Sequence, residues 1–279
     1  MIGDAWSFRL LGRELSQQLA QLIQNPEISL TPLKLSFRDY VLAEIAFRNS
    51  QLYRRSLEYW QSRLPALPPS PELPLEKNLA AVKHPNFVRR TGTLDPDSWQ
   101  CLKRRATQAG VTPSGILLAA FAEILTVWSK SSRFTINLTL FNRLPLHSEV
   151  EEIIGDFTSS TLLAVDNSKQ DSFEVRSRRI QEQLWDDLDH RYVSGVQVLR
   201  QLARIQERAL GALMPVVFTS TLTQDTQSQQ FLQKDWQVEV VYSLSQTSQV
   251  YLDHQVSEVA GALVFNWDAR GTLPVWTLG

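Results

Sequence analysis

A proline-rich run limits most strongly what this chain can fold into. Five of the twelve residues at 64–75 are prolines. Each proline lacks an amide hydrogen and fixes its own φ, so this run cannot be regular helix or central strand. We therefore expect a rigid extended crossover between two differently patterned parts of the chain.

The residues before the crossover have helical periodicity. Apolar side chains recur at helical spacing over residues 6–23, and Asn25-Pro26 follows as a stop signal. Ser36 begins a second long helical pattern that ends before Pro65. Good capping residues stand at the start of the chain with nothing before them to position them, which indicates a truncated front.

The part after the crossover mixes helix and strand patterns. Thr112-Pro113 begins a helix whose apolar stripe continues to Trp128, and residues 134–140 alternate as in a half-buried strand. Further strands are predicted at 159–165, 215–222, 236–242, 249–253 and 262–267, and helices at 173–190 and 196–210. This order predicts an α/β fold, a mixed sheet with packed helices.

Composition excludes several classes of protein. The 28 basic and 29 acidic residues give a net charge of −1, so no broad attraction to nucleic acid or to an anionic membrane is expected. The single cysteine, Cys101, excludes an internal disulfide framework and fits a reducing cytoplasmic setting. The four histidines share no ligand spacing, so no metal site is predicted. The sequence shows no pattern typical of an export signal and no apolar run long enough to indicate membrane insertion.

Five segments resemble, in order, the motifs of one family. Residues 64–75 are similar to LPxxPxLPL, and residues 112–128 to a helix that closes on Leu-x-x-Trp. GDFT at 155–158, PVVFTSTL at 215–222 and SQTSQVYLD at 245–253 follow, with departures at Ser160 and Ser248. The family is that of nonribosomal peptide synthetase heterocyclization domains, a variant of the condensation domain.

The resemblance implies a chloramphenicol acetyltransferase-like architecture of two lobes with a tunnel between them. On this basis residues 1–63 are residual front-lobe helices and connection, 64–78 the crossover, and 79–279 the carboxy-terminal lobe. The front lobe is expected to be largely missing, and the isolated chain is expected to be inactive.

The resemblance also implies the chemistry and the partners. The amine of a cysteine, serine or threonine thioester attacks an upstream thioester, and the side chain then closes onto the new amide with loss of water. Peptidyl carrier proteins would present both substrates on phosphopantetheine, and no cofactor would bind this chain directly. The missing front lobe or other synthetase modules would be further partners.

Residues carried over from the motifs define a candidate site. Asp253 corresponds to the proton-transfer residue and Thr219 to an orienting or oxyanion-contacting hydroxyl. Gln246, Ser220 and Asp156 correspond to residues lining the substrate tunnel. The simpler alternatives are a β-branched strand residue at position 219 and a solvated strand-end carboxylate at position 253.

Two further residues have expected structural roles. Asp4 corresponds to the second aspartate of the family's DxxxxD motif, which supports structure rather than bond chemistry. Arg143 stands where related condensation domains carry an arginine that ties the lobes. We expect Arg143 to lie within ion-pair reach of Asp4 or of the space before Met1.

Other functions stay open at this point. An ordinary condensation domain carries a His-His-x-x-x-Asp-Gly motif, and the glycine after aspartate is absent from Asp4-Ala5-Trp6. A non-catalytic remnant that keeps carrier-protein contacts is a second alternative. Lys103, Arg104 and Arg105 could contact an acidic carrier protein, or could be a solvated helix face.

Overall fold

Two compact units make up the chain. The computed structural model describes residues 3–25, 27, 32–74, 86–205, 214–222, 244–247 and 249–270. The first unit comprises residues 1–55, 140–159 and 223–242, and the second comprises residues 56–139, 160–222 and 243–279. The predicted strand at 236–242 lies outside the described residues, and the predicted domain boundaries stay a prediction.

The helices before the crossover follow their capping residues. Helix α1 (Ala5–Gln24) forms as predicted, and α2 (Phe37–Phe47) begins at a capping box in which Ser36 and Asp39 bond each other's backbone amides. The prediction of one long second helix was wrong. The chain turns at 48–50, and the Ser50 hydroxyl accepts from the Tyr53 amide to start a separate α3 (Gln51–Arg63).

The crossover is irregular, as its prolines require. A short 3₁₀ turn (Leu64–Ala66) is followed by residues without regular structure up to Pro74. Two carbonyls of the run are satisfied by one residue of the second unit. Thr135 donates from its amide to Pro69 O at 2.8 Å and from its hydroxyl to Pro68 O at 2.6 Å.

The described elements after the crossover form a mixed sheet with helices. They are β1 (Phe87–Leu94), α4 (Pro96–Gln108), α5 (Pro113–Trp128), β2 (Arg133–Phe141), β3 (Thr158–Asp166), α6 (Phe173–Asp189), α7 (Gly195–Ile205), β4 (Val216–Ser220), β5 (Leu252–Val259) and β6 (Ala262–Arg270). The strand order is β1-β6-β5-β4-β2-β3. Strand β4 pairs in parallel with β2 and β5, whereas β6 pairs antiparallel with β5 and β1. The predicted mixed α/β sheet is therefore confirmed.

Two strand predictions need correction. The strand predicted at 249–253 begins only at Leu252, because Thr247 O accepts from Val250 N in a turn that precedes it. Strand β1 was not predicted. Its residues other than Phe87 are half-buried or exposed, so the edge strand has no continuous apolar face that a sequence pattern would reveal.

One face of the sheet in the second unit builds the core. Val216 and Phe218 of β4 and Leu252 and Val256 of β5 point to this face, where they join buried residues of the helices. The main helical contributors are Trp99, Leu118, Phe121, Leu125 and Ile180. Because side chains alternate along a strand, the residues between these apolar ones occupy the other face.

His254 of β5 is buried on the apolar face. Its ring lies among those of Phe121, Phe218 and Trp267, with centroid distances of 4.7, 5.6 and 5.0 Å. Burial lowers its pKa to about 4, and a contact with Asn266 O opposes that shift only in part. This imidazole is therefore neutral at pH 7.

Acidification should destabilise the protein through His254. The unfolded chain takes up a proton near the ordinary histidine pKa of 6.5, whereas the folded chain does so only near 4. Stability is therefore lost as pH falls through this window, by about 2 kcal/mol between pH 7.5 and 5. Urea unfolding of the wild type and of His254→Phe at both pH values tests this. The loss should be smaller in the variant, and an equal loss in both proteins would contradict it.

Candidate active site

Polar residues form two rows across the second face of the sheet. In the first row Arg89 of β1 lies opposite Asp268 of β6, and Asp268 lies opposite Asp253 of β5. In the second row Asn266 of β6 lies opposite Gln255 of β5, Gln255 opposite Thr219 of β4, and Thr219 opposite Thr139 of β2. Strand register thus collects residues that are far apart in sequence.

Thr219 and Asp253, the two candidate catalytic residues, lie close together. The Thr219 hydroxyl lies 3.3 Å from Asp253 Oδ1 and 2.9 Å from the Thr139 hydroxyl. A distance of 3.3 Å is long for an O–H···O bond, and catalytic hydrogen bonds often tighten only when substrate is bound. The Thr219 hydroxyl can therefore hydrogen-bond the Asp253 carboxyl or an atom of a bound substrate.

Asp268 is a fully buried carboxylate held by three parts of the chain. Arg89 donates to both of its oxygens, from Nε at 2.6 Å and from Nη2 at 2.5 Å. The backbone amide of Ser245 donates to Oδ2 at 2.8 Å. Gln255 adds a longer contact of 3.4 Å. The bidentate arginine compensates the charge of this residue.

Gln255 connects the two carboxyl groups. Its Nε2 donates to Asp253 Oδ2 at 2.7 Å and approaches Asp268 Oδ2 at 3.4 Å. Its Oε1 accepts from Arg89 Nη2 at 3.2 Å. The sequence motif ends at Asp253, so Gln255, Asp268 and Arg89 were not among the predicted site residues.

The environment of Asp253 favours its protonated form. Burial raises its pKa above the ordinary value, and the neighbouring Asp268 carboxylate acts in the same direction. Hydrogen bonds from Gln255, Ser245 and Thr219 oppose the shift. Only 7% of the residue is exposed. A carboxyl group of this kind can exchange a proton with a bound molecule nearer to neutral pH than a solvated aspartate can.

The other residues predicted to line the tunnel make no described hydrogen bond to Thr219 or Asp253. Gln246 is exposed and, within the described residues, makes no hydrogen bond to Thr219 or Asp253. Ser220 points to the opposite face of β4 from Thr219, where its hydroxyl lies 2.8 Å from that of Ser114 in the first turn of α5. Asp156 belongs to the first unit, is exposed, and accepts from Thr158 N at 3.1 Å.

Asn137 of β2 lies beside Thr139 on the same face. It stands opposite Val217, which in turn stands opposite Asp253. Its Oδ1 is buried and has no hydrogen-bond partner in the described part of the chain. A buried acceptor without a partner is costly, so this oxygen is available to a donor on a bound molecule.

Arg143 and Asp4 form the expected ion pair inside the first unit. Arg143 Nη2 lies 3.3 Å from Asp4 Oδ1 and 3.2 Å from the Ser7 hydroxyl, while Nη1 donates to Val150 O and Ile153 O at 2.8 Å each. The guanidinium also lies 3.8 Å from the centre of the Phe157 ring. Asp4 in addition caps α1 through Ser7 N. The pair therefore anchors the start of α1 to residues 150–157.

Gly155 of the GDFT segment is required by close packing in the same unit. A Cβ at this position would lie 2.1 Å from the Phe37 ring. Its amide and carbonyl both bond the Ser7 hydroxyl, at 3.1 and 2.8 Å. The glycine of this motif thus serves backbone packing.

The described residues contain neither a metal-binding cluster nor a single membrane-spanning helix. No group of three or more His, Cys, Asp or Glu side chains there could hold a metal ion. No single described helix is long and apolar enough to cross a membrane. Helices α4 and α5 have that length and composition only together, and the chain bends by 96° between them.

The sequence matches one known family over nearly its whole length. A model of the condensation domain matches residues 1–273. Pyochelin synthetase PchF of Pseudomonas aeruginosa is 44% identical over 88% of this chain and 13% of its own length. Phenyloxazoline synthase MbtB of Mycolicibacterium paratuberculosis is 37% identical over 96% of this chain and 22% of its own length. The chain belongs to the condensation-domain family of nonribosomal peptide synthetases.

Solved structures support the same family, and they include a cyclization domain. The EpoB cyclization-docking bidomain from Sorangium cellulosum is 42% identical with a TM-score of 0.84, covering 98% of this chain and 54% of that one. A condensation domain of the calcium-dependent antibiotic synthetase shares the fold with a TM-score of 0.71 at 14% identity. The resemblance to heterocyclization domains and the chloramphenicol acetyltransferase-like fold class are thus confirmed. The chain spans about half of the EpoB bidomain and less than a quarter of these curated relatives.

Replacing Asp253 should increase stability most at neutral pH. Because its folded pKa is raised, the folded state retains a proton that the unfolded chain has already released above the ordinary value of 3.8. The contribution of Asp253 to stability therefore falls as pH rises through the folded pKa. In urea unfolding, the free energy of unfolding of Asp253→Asn minus that of the wild type should be larger at pH 7 than at pH 4. A difference that is the same at both pH values would show that the carboxyl is not perturbed.

Removing Arg143 should destabilise the first unit strongly. Arg143→Met leaves the buried Asp4 carboxylate without its cation, which costs about 3–5 kcal/mol. The matched control is Arg13→Met, whose ion pair with Glu152 is partly exposed and contributes about 1 kcal/mol or less. Urea unfolding followed by tryptophan fluorescence gives both values. Similar losses in the two variants would contradict the structural role of Arg143.

Proposed function

We propose that this chain supplies the proton-transfer site of a heterocyclization domain. The observation that carries the proposal is a buried Asp253 carboxyl whose Oδ1 lies 3.3 Å from the Thr219 hydroxyl on the polar sheet face. The identity of 42% to a cyclization-domain structure, against 14% to a condensation domain, supports ring formation over amide synthesis alone.

The reaction that we propose has two stages. The amine of a carrier-bound cysteine, serine or threonine attacks an upstream thioester, forms an amide and releases the upstream thiol. The side-chain sulfur or oxygen then attacks the carbon of the new amide and its proton ends on the amide oxygen, which gives a ring bearing a hydroxyl group. Loss of that hydroxyl with the ring nitrogen's proton, as water, leaves a thiazoline or oxazoline.

Asp253 and Thr219 have separate roles in this scheme. During ring closure the Thr219 hydroxyl donates to the developing oxyanion. During dehydration the protonated Asp253 gives its proton to the departing hydroxyl, and the resulting carboxylate accepts the proton from nitrogen. The raised pKa of Asp253 suits both steps, because the group is easily protonated before the step and basic enough after it.

The partners follow from the same proposal. Both substrates would be thioesters on the phosphopantetheine of peptidyl carrier proteins, in the cytoplasm. The remaining part of a two-lobed domain would supply the other tunnel wall. We propose Asp156, Ser220 and Gln246 as tunnel-lining residues from their motif positions.

A chimera tests the proposed reaction. The part of the EpoB bidomain that this chain does not match would be fused to this chain and assayed with a loaded carrier pair. Intact-protein mass spectrometry separates the open amide from the ring, which is lighter by one water. We expect ring formation with the wild-type sequence, and a loss of about a hundredfold or more in ring formation with Asp253→Asn.

Two further variants assign the roles. Thr219→Val should slow ring formation, whereas Thr219→Ser keeps the hydroxyl and should retain most of it. Thr91→Val is the control and should have no effect, because Thr91 of β1 lies opposite Asn266 and its hydroxyl bonds that residue at 2.7 Å instead of Asp253 or Thr219. Amide without ring from the wild-type chimera would favour an ordinary condensation function, and no product from a folded chimera would favour a non-catalytic remnant.

A further inference from the structure

The two carboxyl groups on β5 and β6 create a problem that their strands alone do not solve. Asp253 and Asp268 are direct cross-strand partners, and like charges in that position repel. The charged or titratable groups that face Asp253 in the described residues are Asp268 and, beyond it, Arg89. Strand β4 presents the Thr219 hydroxyl to Asp253, and Thr139 of β2 lies behind it. Arg89 already compensates the charge of Asp268. The residue that lies between Asp268 and Asp253 therefore has to be neutral.

The surroundings of Gln255 fix the orientation of its amide. Oε1 faces the Arg89 guanidinium, which only donates, and Nε2 faces two carboxyl groups. Turning the amide over would place an NH₂ group against the guanidinium and an oxygen against the carboxylates. The observed arrangement is therefore the one in which donors meet acceptors.

We propose that Gln255 is a positioning residue of this site, whose amide bridges the two carboxyl groups and holds Asp253 with Oδ1 toward Thr219. The inference rests on the proposed function for its consequence in catalysis. Its structural part stands on the bond of 2.7 Å to Asp253 Oδ2, while Asp253 Oδ1 lies 3.3 Å from the Thr219 hydroxyl.

Gln255 also connects the Arg89–Asp268 ion pair to Asp253. Arg89 bonds Asp268 and Gln255 at once, and Gln255 bonds Asp253. Its donation to Asp253 favours the carboxylate form and thus limits the rise in pKa that burial causes. Without this donor Asp253 should bind its proton more tightly and rotate more freely.

The first test is a carboxyl titration of the full chain, which needs no activity. Aspartate labelled with ¹³C at the side-chain carboxyl would be followed by NMR, with the Asp253 signal assigned from Asp253→Asn. In Gln255→Met the Asp253 titration should move to higher pH. Gln255→Asn keeps an amide that is too short to bridge both carboxyls, and should move it in the same direction.

Ser257→Ala is the matched control, because Ser257 lies on the same face of β5 one pleat further on and bonds Val264 O at 3.4 Å. It should leave the Asp253 titration in place. Unfolding midpoints of all variants establish that they are folded. An unchanged Asp253 titration in either Gln255 variant that folds would overturn the bridging role.

The second test uses the chimera and separates the two proposals. Gln255→Met should lower kcat for ring formation about tenfold to a hundredfold with little change in KM, and should shift the Asp253 limb of the pH–rate profile upward. Full ring formation by Asp253→Asn would defeat the proposed function while leaving the titration result valid. If Asp253→Asn forms no ring while Gln255→Met is fully active with an unchanged pH–rate profile, only the positioning role is overturned.

Discussion

The buried carboxylate of Asp268 is the interaction on which the rest of the candidate site depends. An isolated carboxylate in a protein interior costs several kcal/mol unless charge and hydrogen bonds compensate it. Here the compensation comes from Arg89 on the edge strand, from the Ser245 amide before β5, and from Gln255 on β5 itself. Satisfying one charge therefore fixes three separate pieces of backbone around Asp253.

Because side chains alternate along β5, two adjacent titratable residues lie on opposite faces of the sheet, and burial shifts the pKa of each toward its neutral form. His254 points into the aromatic core and Asp253 to the polar face, and burial is the main cause of both pKa shifts. The shift lowers the histidine pKa and raises the aspartate pKa, so both changes favour the neutral form. Burial on β5 thus disfavours the charged form of both residues, whereas on the neighbouring β6 the charge of Asp268 is compensated by Arg89 of β1.

How much of this could be predicted from sequence depends on where each element lies. Helix α5 and strand β2 were predictable because their buried faces repeat at the helical and strand periods. The edge strand β1 was not, since it buries only Phe87 fully and its arginines resemble a solvated loop. The break between α2 and α3 depends on local capping by Ser50, which a long apolar pattern conceals.

The site shows the same division between motif and register. Thr219 and Asp253 were identifiable because they stand inside motif-like segments, and the parallel pairing of β4 with β5 then brings them together. Gln246 was the glutamine within the motif, yet Gln255 is the one that reaches the carboxyl. Arg89 and Asp268 are 179 residues apart, and only the pairing of β1 with β6 makes them neighbours. A motif can identify the reacting group, whereas the residues that set its proton affinity are brought to it by the pairing of strands that are far apart in the sequence.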